Sequence, residues 1–546
     1  MMSSVLGLVP GWRVWVLALV AFVVPIIFSK LYARLHAFLK SGKPSKASAK
    51  DDAQISNTPA SASNAFHGDY QSDLRAVLGS IGSNSDLVVR EFPMSKLDTK
   101  GTLFYVNGMQ KERQLNLKIL EFLMFEVTKE MLGESLNTDG LLPFTSLKKS
   151  AEVEEFNRSV LFGHFGLIVD GMSCGLLIEN PNRANRAIIE PVSEALLRGP
   201  RIGFSEVLSE NTSMLRRQGF SDQMEMKSYR LGNTLPRDLV IAYFKNIVNP
   251  ELLQEVEDRI SKIDIDFLAD SGYVEQLIED NYLSPFQQVQ STERPDRVIN
   301  AMLEGRIAIL LDGTPFALIV PATFTMLLQS PEDYYERWLP SSMLRILRFG
   351  AAFLSLLAPA LYISFISFHP GLIPTELALS IIETRQGVPF PSLIEVLILE
   401  VAIEILREAG IRLPKPIGPA MGIVGGLIIG DAAVQAGIVS PFLVIVVAVT
   451  AISSFSIPSY SAGITLRMMR FVGMIFAAVL GMFGTILFFL LLCSHLTRLK
   501  SFGLPYLAPV TPYRLPDWKD LFIRAPISLM KQRPAMMKTQ KNKRKS

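Results

Sequence analysis

Long apolar runs lie at both ends of the chain, with a mixed apolar and polar region between them. After about residue 349, three runs carry no charged residue: Phe349–Phe368 with 20 residues, Ala432–Leu466 with 35 and Phe471–Cys493 with 23. A membrane-spanning helix needs about 20 apolar residues. These runs therefore predict an all-α, multi-span membrane domain over residues 331–500. A Gly, Ser and Pro cluster near residue 440 predicts that the longest run breaks there.

A shorter apolar run, Val14–Ser29, precedes a stretch with several basic and no acidic residues up to Lys50. A secretory signal has its basic residues before the apolar run, so this order predicts a retained anchor whose C-terminal side is cytosolic. Residues 1–65 are thus interpreted as an N-terminal membrane anchor and basic linker.

The C-terminal end is also basic, with twelve Lys or Arg and two Asp after Leu496. This excess predicts a cytosolic tail over residues 501–546. If the middle region and the tail are both cytosolic, the membrane domain crosses an even number of times. Four and six crossings both remain open.

The middle region alternates short β-rich runs with helical ones, which is typical of an α/β fold. Two segments look alike, because Asp170-Gly171 and Asp312-Gly313 each separate two apolar runs. An Asp-Gly turn between apolar runs predicts a β-hairpin. The recurrence predicts two related subdomains, 66–189 and 223–330, joined by a linker at 190–222. The predicted fold class is therefore an α/β cytosolic region of two related subdomains joined to an all-α multi-span membrane domain.

Composition and charge narrow the function classes. The chain has 546 residues, 49% of them hydrophobic and 19% charged, with a net charge of +3. So small a net charge gives no support to nucleic-acid binding. Two cysteines and five scattered histidines predict no disulfide framework, no metal site and no cofactor. The G-x-S-x-G sequence around Ser173 resembles a hydrolase elbow, but an apolar run follows where the elbow needs a helix, so we expect no enzyme.

A series of motifs resembles the GerA family, the A subunits of bacterial spore germinant receptors. The clearest is a linker motif running from Glu190-Pro191 through Arg198-Gly199-Pro200-Arg201 to Arg216-Arg217. Further blocks occur in the family's order between about residues 70 and 530, and they include the following sequences: Thr292-Glu293-Arg294-Pro295-Asp296-Arg297, Asp333-Tyr334-Tyr335-Glu336-Arg337, Gly430-Asp431-Ala432-Ala433 and Ser501-Phe502-Gly503-Leu504-Pro505. Residues 1–65 have no counterpart in the family pattern.

The resemblance implies a nutrient germinant receptor subunit in the spore inner membrane, with the soluble region and the tail facing the spore core. It implies a homo-oligomer that works with a transporter-like B subunit and a lipoprotein C subunit. The oligomer would form a ligand-gated pathway for monovalent cations, whose opening triggers germination. Two alternatives remain open: a stage V sporulation homologue that amplifies ion release, and a non-conducting membrane scaffold subunit.

Two segments are candidates for the pore. The first is a glycine-rich helix in which Asp431 and Gln435 lie on one face, where a ring of carboxylates would attract cations. The glycines have a second interpretation, close helix packing. The other segment is a charged helix face, which is also typical of an amphipathic helix at the membrane surface. The candidates are Gly425, Gly426, Gly430, Asp431, Val434, Gln435, Glu400, Glu404 and Glu408.

A second group of charged residues surrounds the linker motif. Oppositely charged residues alternate there, which indicates an interdomain or intersubunit ion-pair network more strongly than an anion site. The candidates are Glu190, Glu194, Arg198, Arg201, Arg216, Arg217, Arg294 and Asp296.

Overall fold

The structure is a computed structural model that describes residues 65–109, 119–128, 147–178, 190–191, 193–218, 221–412 and 430–544. Its described residues fall into two compact units. One contains those up to Ile346 together with those from Leu499 onward, and the other contains Leu347–Arg498. The proposed N-terminal anchor and basic linker lie outside the described residues.

The first half of the α/β unit contains a five-stranded antiparallel sheet. Its strand order is β1-β2-β4-β5-β3. The strands are β1 (Leu87–Met94), β2 (Thr99–Val106), β3 (Leu147–Ser150), β4 (Phe165–Val169) and β5 (Gly175–Ile178). The helices of this half are α1 (Tyr70–Ile81), α2 (Leu120–Phe125) and α3 (Val153–Leu161).

The second half repeats this arrangement with the strand order β6-β7-β9-β10-β8. Its strands are β6 (Met224–Leu231), β7 (Arg237–Phe244), β8 (Gln290–Thr292), β9 (Ile307–Leu311) and β10 (Ala317–Val320). The helices are α4 (Leu208–Gln218), α5 (Pro250–Ser261), α6 (Ser271–Ile278), α7 (Pro295–Leu303), α8 (Phe324–Leu327) and α9 (Glu332–Tyr335). The matching strand orders agree with the internal repeat read from the sequence.

Both Asp-Gly hairpins predicted from the sequence are confirmed. Strand β4 pairs antiparallel with β5, and β9 pairs antiparallel with β10. The turn glycines Gly171 and Gly313 have φ of 82° and 81°, a conformation that glycine adopts without a Cβ penalty. Ser173 precedes strand β5 and no helix, so it lacks the strand–turn–helix setting of a nucleophile elbow.

Helices pack on both faces of each sheet. All five residues of β9 are buried. Successive side chains of a strand point to opposite faces. Ile309 accordingly packs with Val256 and Ile260 of α5, whereas Leu310 packs with Met302 of α7.

Local capping sets where several helices begin. The carboxylate of Asp69 accepts a hydrogen bond from the backbone N–H of Ser72 at 3.1 Å, which caps α1. The side-chain oxygen of Asn249 accepts from the N–H of Glu251 at 3.1 Å, and Pro250 occupies the first position of α5.

The helical unit is built from long apolar helices. Its helices are α10 (Trp338–Phe368), which begins in the α/β unit, then α11 (Thr375–Arg385), α12 (Ser392–Arg412), α13 (Pro441–Phe455) and α14 (Tyr460–Arg498). Among the described residues, α10 and α14 are long and apolar enough to cross a membrane, while α13 is apolar but has only 15 residues. The number of crossings therefore stays a prediction.

Breaks divide the apolar runs of this unit. Ser440 caps α13 through a hydrogen bond from the N–H of Leu443 at 3.4 Å, so the predicted break near residue 440 is confirmed. Helix α14 contains a second break at Gly481, whose φ of 61° and ψ of −141° are not helical. A core made of Ile363, Leu399 and Met474, among others, holds the helices together.

The C-terminal segment, residues 499–544, packs against the second sheet, whereas the sequence suggested a separate basic tail. Phe502 and Met537 join the hydrophobic core of that sheet. The Tyr506 ring is fully buried, and its hydroxyl donates to the carbonyl of Gln287 at 2.7 Å. The basic composition of the segment does not predict this packing, because only a few apolar residues among many lysines and arginines anchor it to the sheet.

Candidate functional site

The linker motif is held against the second sheet by a partly buried cluster around Glu194. Its carboxylate lies 2.5 Å from Nη1 of Arg297 and accepts a hydrogen bond from the hydroxyl of Thr292. The Glu194 and Arg297 side chains are each 11% exposed. Arg297 also donates to the carbonyls of Met326 and Gln329. This linker cluster thus connects Glu194 to strand β8 and helix α7 directly, and through Arg297 to the segment of Met326 and Gln329.

Arg294 and Asp296 extend the linker cluster. Arg294, 1% exposed, donates to the carbonyls of Glu194 and Pro200 and pairs with Asp296 at 3.1 Å. The hydroxyl of Tyr335 donates to the same carboxylate. Burial beside this negative charge raises the pKa of Tyr335, which keeps the phenol protonated as the donor.

A separate contact joins the two sheets. Arg216 on α4 pairs with Asp86, just before β1, through Nε–Oδ2 and Nη2–Oδ1 distances of 2.9 Å each. Its Nη2 also donates to the side-chain oxygen of Asn84 at 2.7 Å, and its Nη1 donates to the carbonyl of Met224 at 2.7 Å. Both charged side chains are almost fully buried, and all donors except one find acceptors in this bidentate geometry.

The other linker candidates lie at the surface. Arg198 lies 3.5 Å from Glu336, and Arg201 lies 3.7 Å from Glu190. Because both arginines are about two-thirds exposed, such pairs contribute about 0 to 1 kcal/mol to stability. Arg217 is half-buried on α4. The structure therefore brings Glu194, Arg294 and Asp296 together and places Arg216 in a different cluster.

The charged face of α12 is largely paired with α14. Arg470 lies 2.7 Å from Glu400 and 3.1 Å from Glu404, and the side chains of Arg470 and Glu400 are each 1% exposed. Glu404 also lies 3.5 Å from Arg467 and 3.3 Å from Arg407. This helical-unit cluster holds two carboxylates and three guanidinium groups.

The remaining pore candidates lie in different surroundings. Glu408 pairs with Arg412 at 2.6 Å on the exposed side of α12. Residues 430 to 435 are helical, and Asp431 is exposed and accepts a hydrogen bond from Gln435 at 2.7 Å. Val434 packs against the core of the helical unit. Gly430 is buried near Val444, which favours the packing interpretation for that glycine. Gly425 and Gly426 lie outside the described residues.

Sequence reasoning missed a buried cluster at the start of α10. Arg345 is fully buried, and its Nε donates to Asp333 at 3.1 Å and its Nη1 to Asp520 at 2.7 Å. Asp520 also accepts from the Tyr334 hydroxyl at 2.6 Å. The signal available was the Asp333–Arg337 block, but nothing in it identifies Asp520 as a partner. In the part of the chain that the structure describes, no group of His, Cys, Asp or Glu could hold a metal ion.

Burial shifts the pKa of two carboxyl groups near the C-terminal segment. Desolvation and neighbouring carboxylates raise the pKa of Glu275 to about 8. Desolvation raises the pKa of Glu279 to about 7, although this carboxylate accepts backbone hydrogen bonds that lower it. Next to them, Asp280 accepts from the N–H of Phe502 at 2.6 Å. These groups lie beside Phe502, where the C-terminal segment packs against the second sheet.

The part of the chain that contains these clusters matches known proteins. The family model described as Bacillus/Clostridium GerA spore germination protein matches residues 74–536. The chain belongs to the GerA family. Spore germination protein GerLA of Bacillus cereus is 39% identical over 467 residues, which cover 85% of this chain and 95% of that protein. Spore germination protein B1 of Bacillus subtilis is 42% identical over 470 residues, 85% of this chain and 96% of its own length.

One solved structure also matches this GerA-family chain. It is the crystal structure of the N-terminal domain of the A subunit of the Bacillus megaterium spore germinant receptor GerK3, which is 27% identical. The match covers 48% of this chain and 97% of that domain. Its TM-score of 0.35 is too low to support a statement about the fold.

Proposed function

We propose that this GerA-family chain is the A subunit of a spore nutrient germinant receptor. The observation that carries the proposal is the family match across residues 74–536, together with relatives named spore germination proteins at 39% and 42% identity. The subunit would oligomerise in the spore inner membrane, beside a transporter-like B subunit and a lipoprotein C subunit. Nutrient binding would open a pathway for monovalent cations and so trigger germination.

The environment of Asp431 supports its assignment to the cation pathway. Glu400 and Glu404, the competing carboxylates, lie beside Arg470 and Arg467, and a carboxylate neutralised by arginine attracts cations weakly. Within the described ranges Asp431 forms no ion pair and is exposed, with an amide one turn away. An ionisable group on a membrane helix faces a cavity or a partner far more often than lipid.

The test is cation flux through the purified oligomer in liposomes. Asp431→Asn should lower the conductance to monovalent cations and weaken the preference for cations over anions, because it removes one charge from each subunit. Glu376→Gln is the matched control, since it neutralises an exposed carboxylate on α11 that belongs to neither pore candidate. Unchanged flux and selectivity in Asp431→Asn would remove this residue from the pathway. An assembled oligomer that never conducts, with or without nutrient, would instead favour the scaffold role.

The same variants should act in spores. If Asp431 belongs to the pathway, spores that carry Asp431→Asn should release monovalent cations more slowly after nutrient addition than spores that carry Glu376→Gln. Equal amounts of the two proteins in the spore membrane must be shown by immunoblot. Normal release from Asp431→Asn spores at equal protein would contradict the assignment.

A further inference from the structure

The first turns of α10 expose a stripe of apolar side chains. Leu339, Met343 and Ile346 occur at i, i+4 and i+7, so they lie along one side of the helix. Their exposed fractions are 63%, 64% and 52%. On the opposite side, Ser341 and Arg345 are fully buried. Exposure of such a contiguous apolar stripe to water is unfavourable, which indicates that another apolar surface covers it.

The C-terminal segment adds to the same surface. The backbone N–H of Arg524 donates to Oγ of Ser342 at 3.1 Å, and its Nη1 donates to the carbonyl of Glu336 at 2.8 Å. These bonds fix residue 524 beside the first turn of α10. The neighbouring Ile523 and Ile527 are 54% and 71% exposed, so apolar side chains of two chain segments share this region.

Aromatic residues accompany the stripe. Trp518 packs edge-to-face with Tyr513 and with Phe522, at ring-centroid distances of 5.2 and 6.2 Å. Trp338 opens α10 and is 44% exposed. Tryptophan and tyrosine are enriched where a membrane protein meets the headgroup layer, because their rings are apolar and each carries one polar group.

The surrounding charge is basic. Arg337, Lys519 and Lys531 are exposed in the same two segments. The nearby carboxylates already have partners, since Asp520 pairs with Arg345 and Asp517 accepts from the N–H groups of Ala535 and Met536. Exposed lysine and arginine beside an apolar surface are attracted to anionic lipid.

Along α10, the apolar stripe lies a short distance before the uncharged run that could enter a bilayer. The uncharged run of α10 begins at Phe349, three residues after Ile346 and six after Met343. At a rise of 1.5 Å for each residue, the two side chains lie about 4 to 9 Å before the apolar run. The headgroup layer on each side of a bilayer is about 5 to 8 Å thick.

We propose that this juxtamembrane patch binds the headgroup layer of a bilayer that contains anionic phospholipid. The patch consists of Leu339, Met343, Ile346, Ile523, Ile527 and Leu529, with the basic residues Arg337, Lys519 and Lys531 beside them. A second copy of this chain fits the patch less well, because two basic surfaces would face each other. The proposal rests on the membrane location in the proposed function.

The experiment places one fluorescent label at Ile527→Cys in the full chain, with Cys174→Ser and Cys493→Ser removing the native thiols. The chain is reconstituted in vesicles of phosphatidylglycerol and phosphatidylcholine that carry a nitroxide on the lipid headgroup. Ser80→Cys, exposed on α1, is the reference label outside the patch. Quenching should be roughly threefold or more greater at 527 than at 80, and it should fall when phosphatidylglycerol is omitted.

Substitution of the patch should abolish the contact. With the label at Ile523→Cys, the double change Ile527→Asp and Leu529→Asp should bring quenching down to the reference level. Leu235→Asp is the matched control, since Leu235 is 58% exposed and lies outside the patch. All of these positions are exposed, so folding should survive the changes.

Insertion of the helices is measured separately with a label at Val479→Cys, which is 68% exposed on α14, and a nitroxide on the acyl chains. If Val479 is quenched and Ile527 is not, the juxtamembrane proposal is wrong while the membrane location stands. If neither is quenched, both are wrong. Disulfide formation between two Ile527→Cys copies without lipid quenching would assign the patch to a second copy and overturn lipid binding. Equal quenching without phosphatidylglycerol would overturn the requirement for anionic lipid.

Discussion

The buried pair of Arg216 and Asp86 tests how the two sheets are held together. The two side chains are 2% and 4% exposed, and two hydrogen bonds of 2.9 Å join them. Arg216→Met keeps much of the side-chain volume but leaves the Asp86 carboxylate buried without its cation. The change also removes the donors to Asn84 and to the Met224 carbonyl.

Loss of one partner from a buried ion pair costs about 3 to 5 kcal/mol. Because about 1.4 kcal/mol is a factor of ten in an equilibrium constant, local opening should become about a hundred to several thousand times more frequent. The double variant Asp86→Asn with Arg216→Met should lose less stability than Arg216→Met alone. An asparagine is neutral and can be buried at lower cost than a bare carboxylate.

Amide hydrogen exchange in the full chain measures this effect, because protection of α4 and β6 reports their local opening. Arg158→Met is the control, since Arg158 forms an exposed pair with Glu154 at 3.2 Å. Such a pair contributes about 0 to 1 kcal/mol, so its loss should change protection less than about tenfold. A similarly small change in Arg216→Met, or a double variant as unstable as the single one, would refute the reasoning.

Three further predictions follow from single contacts. Gly199→Ala should lower stability by about 1 to 3 kcal/mol in thermal unfolding, because φ is +125° and the new Cβ would lie 2.6 Å from the Tyr335 ring; unchanged unfolding would contradict this. A raised pKa near 8 at Glu275 means that stability present below about pH 4.5 is lost as pH rises through 8. Glu275→Gln should therefore flatten the stability–pH curve over that range, and an unchanged curve would contradict the assignment. In detergent, Arg470→Met should lower Tm more than Arg412→Met, because it removes a buried rather than an exposed partner; equal Tm values would contradict this.

Local signals account for the parts of the fold that the sequence predicted. An Asp-Gly pair between two apolar runs specifies a hairpin within about fifteen residues, and both hairpins are present. The edge strands β3 and β8 carry no such signal. Each is only three or four residues long, and β8 pairs with β10, which comes later in the chain. Pairing of this kind depends on tertiary packing and has no local pattern.

The partners of the site residues were harder to predict than the residues themselves. The family motif singles out Arg216, but Asp86 lies 130 positions earlier in an ordinary turn. On α12, Glu400 and Glu404 suggested a water-facing or pore-facing surface, because charge periodicity alone cannot show what lies opposite. Arg470, which pairs with both carboxylates, lies 66 positions after Glu404. Sequence periodicity identifies a charged face, whereas only the fold shows whether that face is neutralised.

The packing of the C-terminal segment shows which half of the α/β unit carries the connections to the helical unit. Two chain segments join the described α/β unit to the helical unit, one through α10 and one at the junction of Arg498 and Leu499. Arg345, near the start of α10, pairs with Asp520, and Phe502 lies in the core of the second sheet. The second sheet therefore holds both connections, while Arg216 joins the first half to it through Asp86. A variant that disrupts the buried Arg216–Asp86 pair should therefore loosen the first half from the part of the chain that holds both connections.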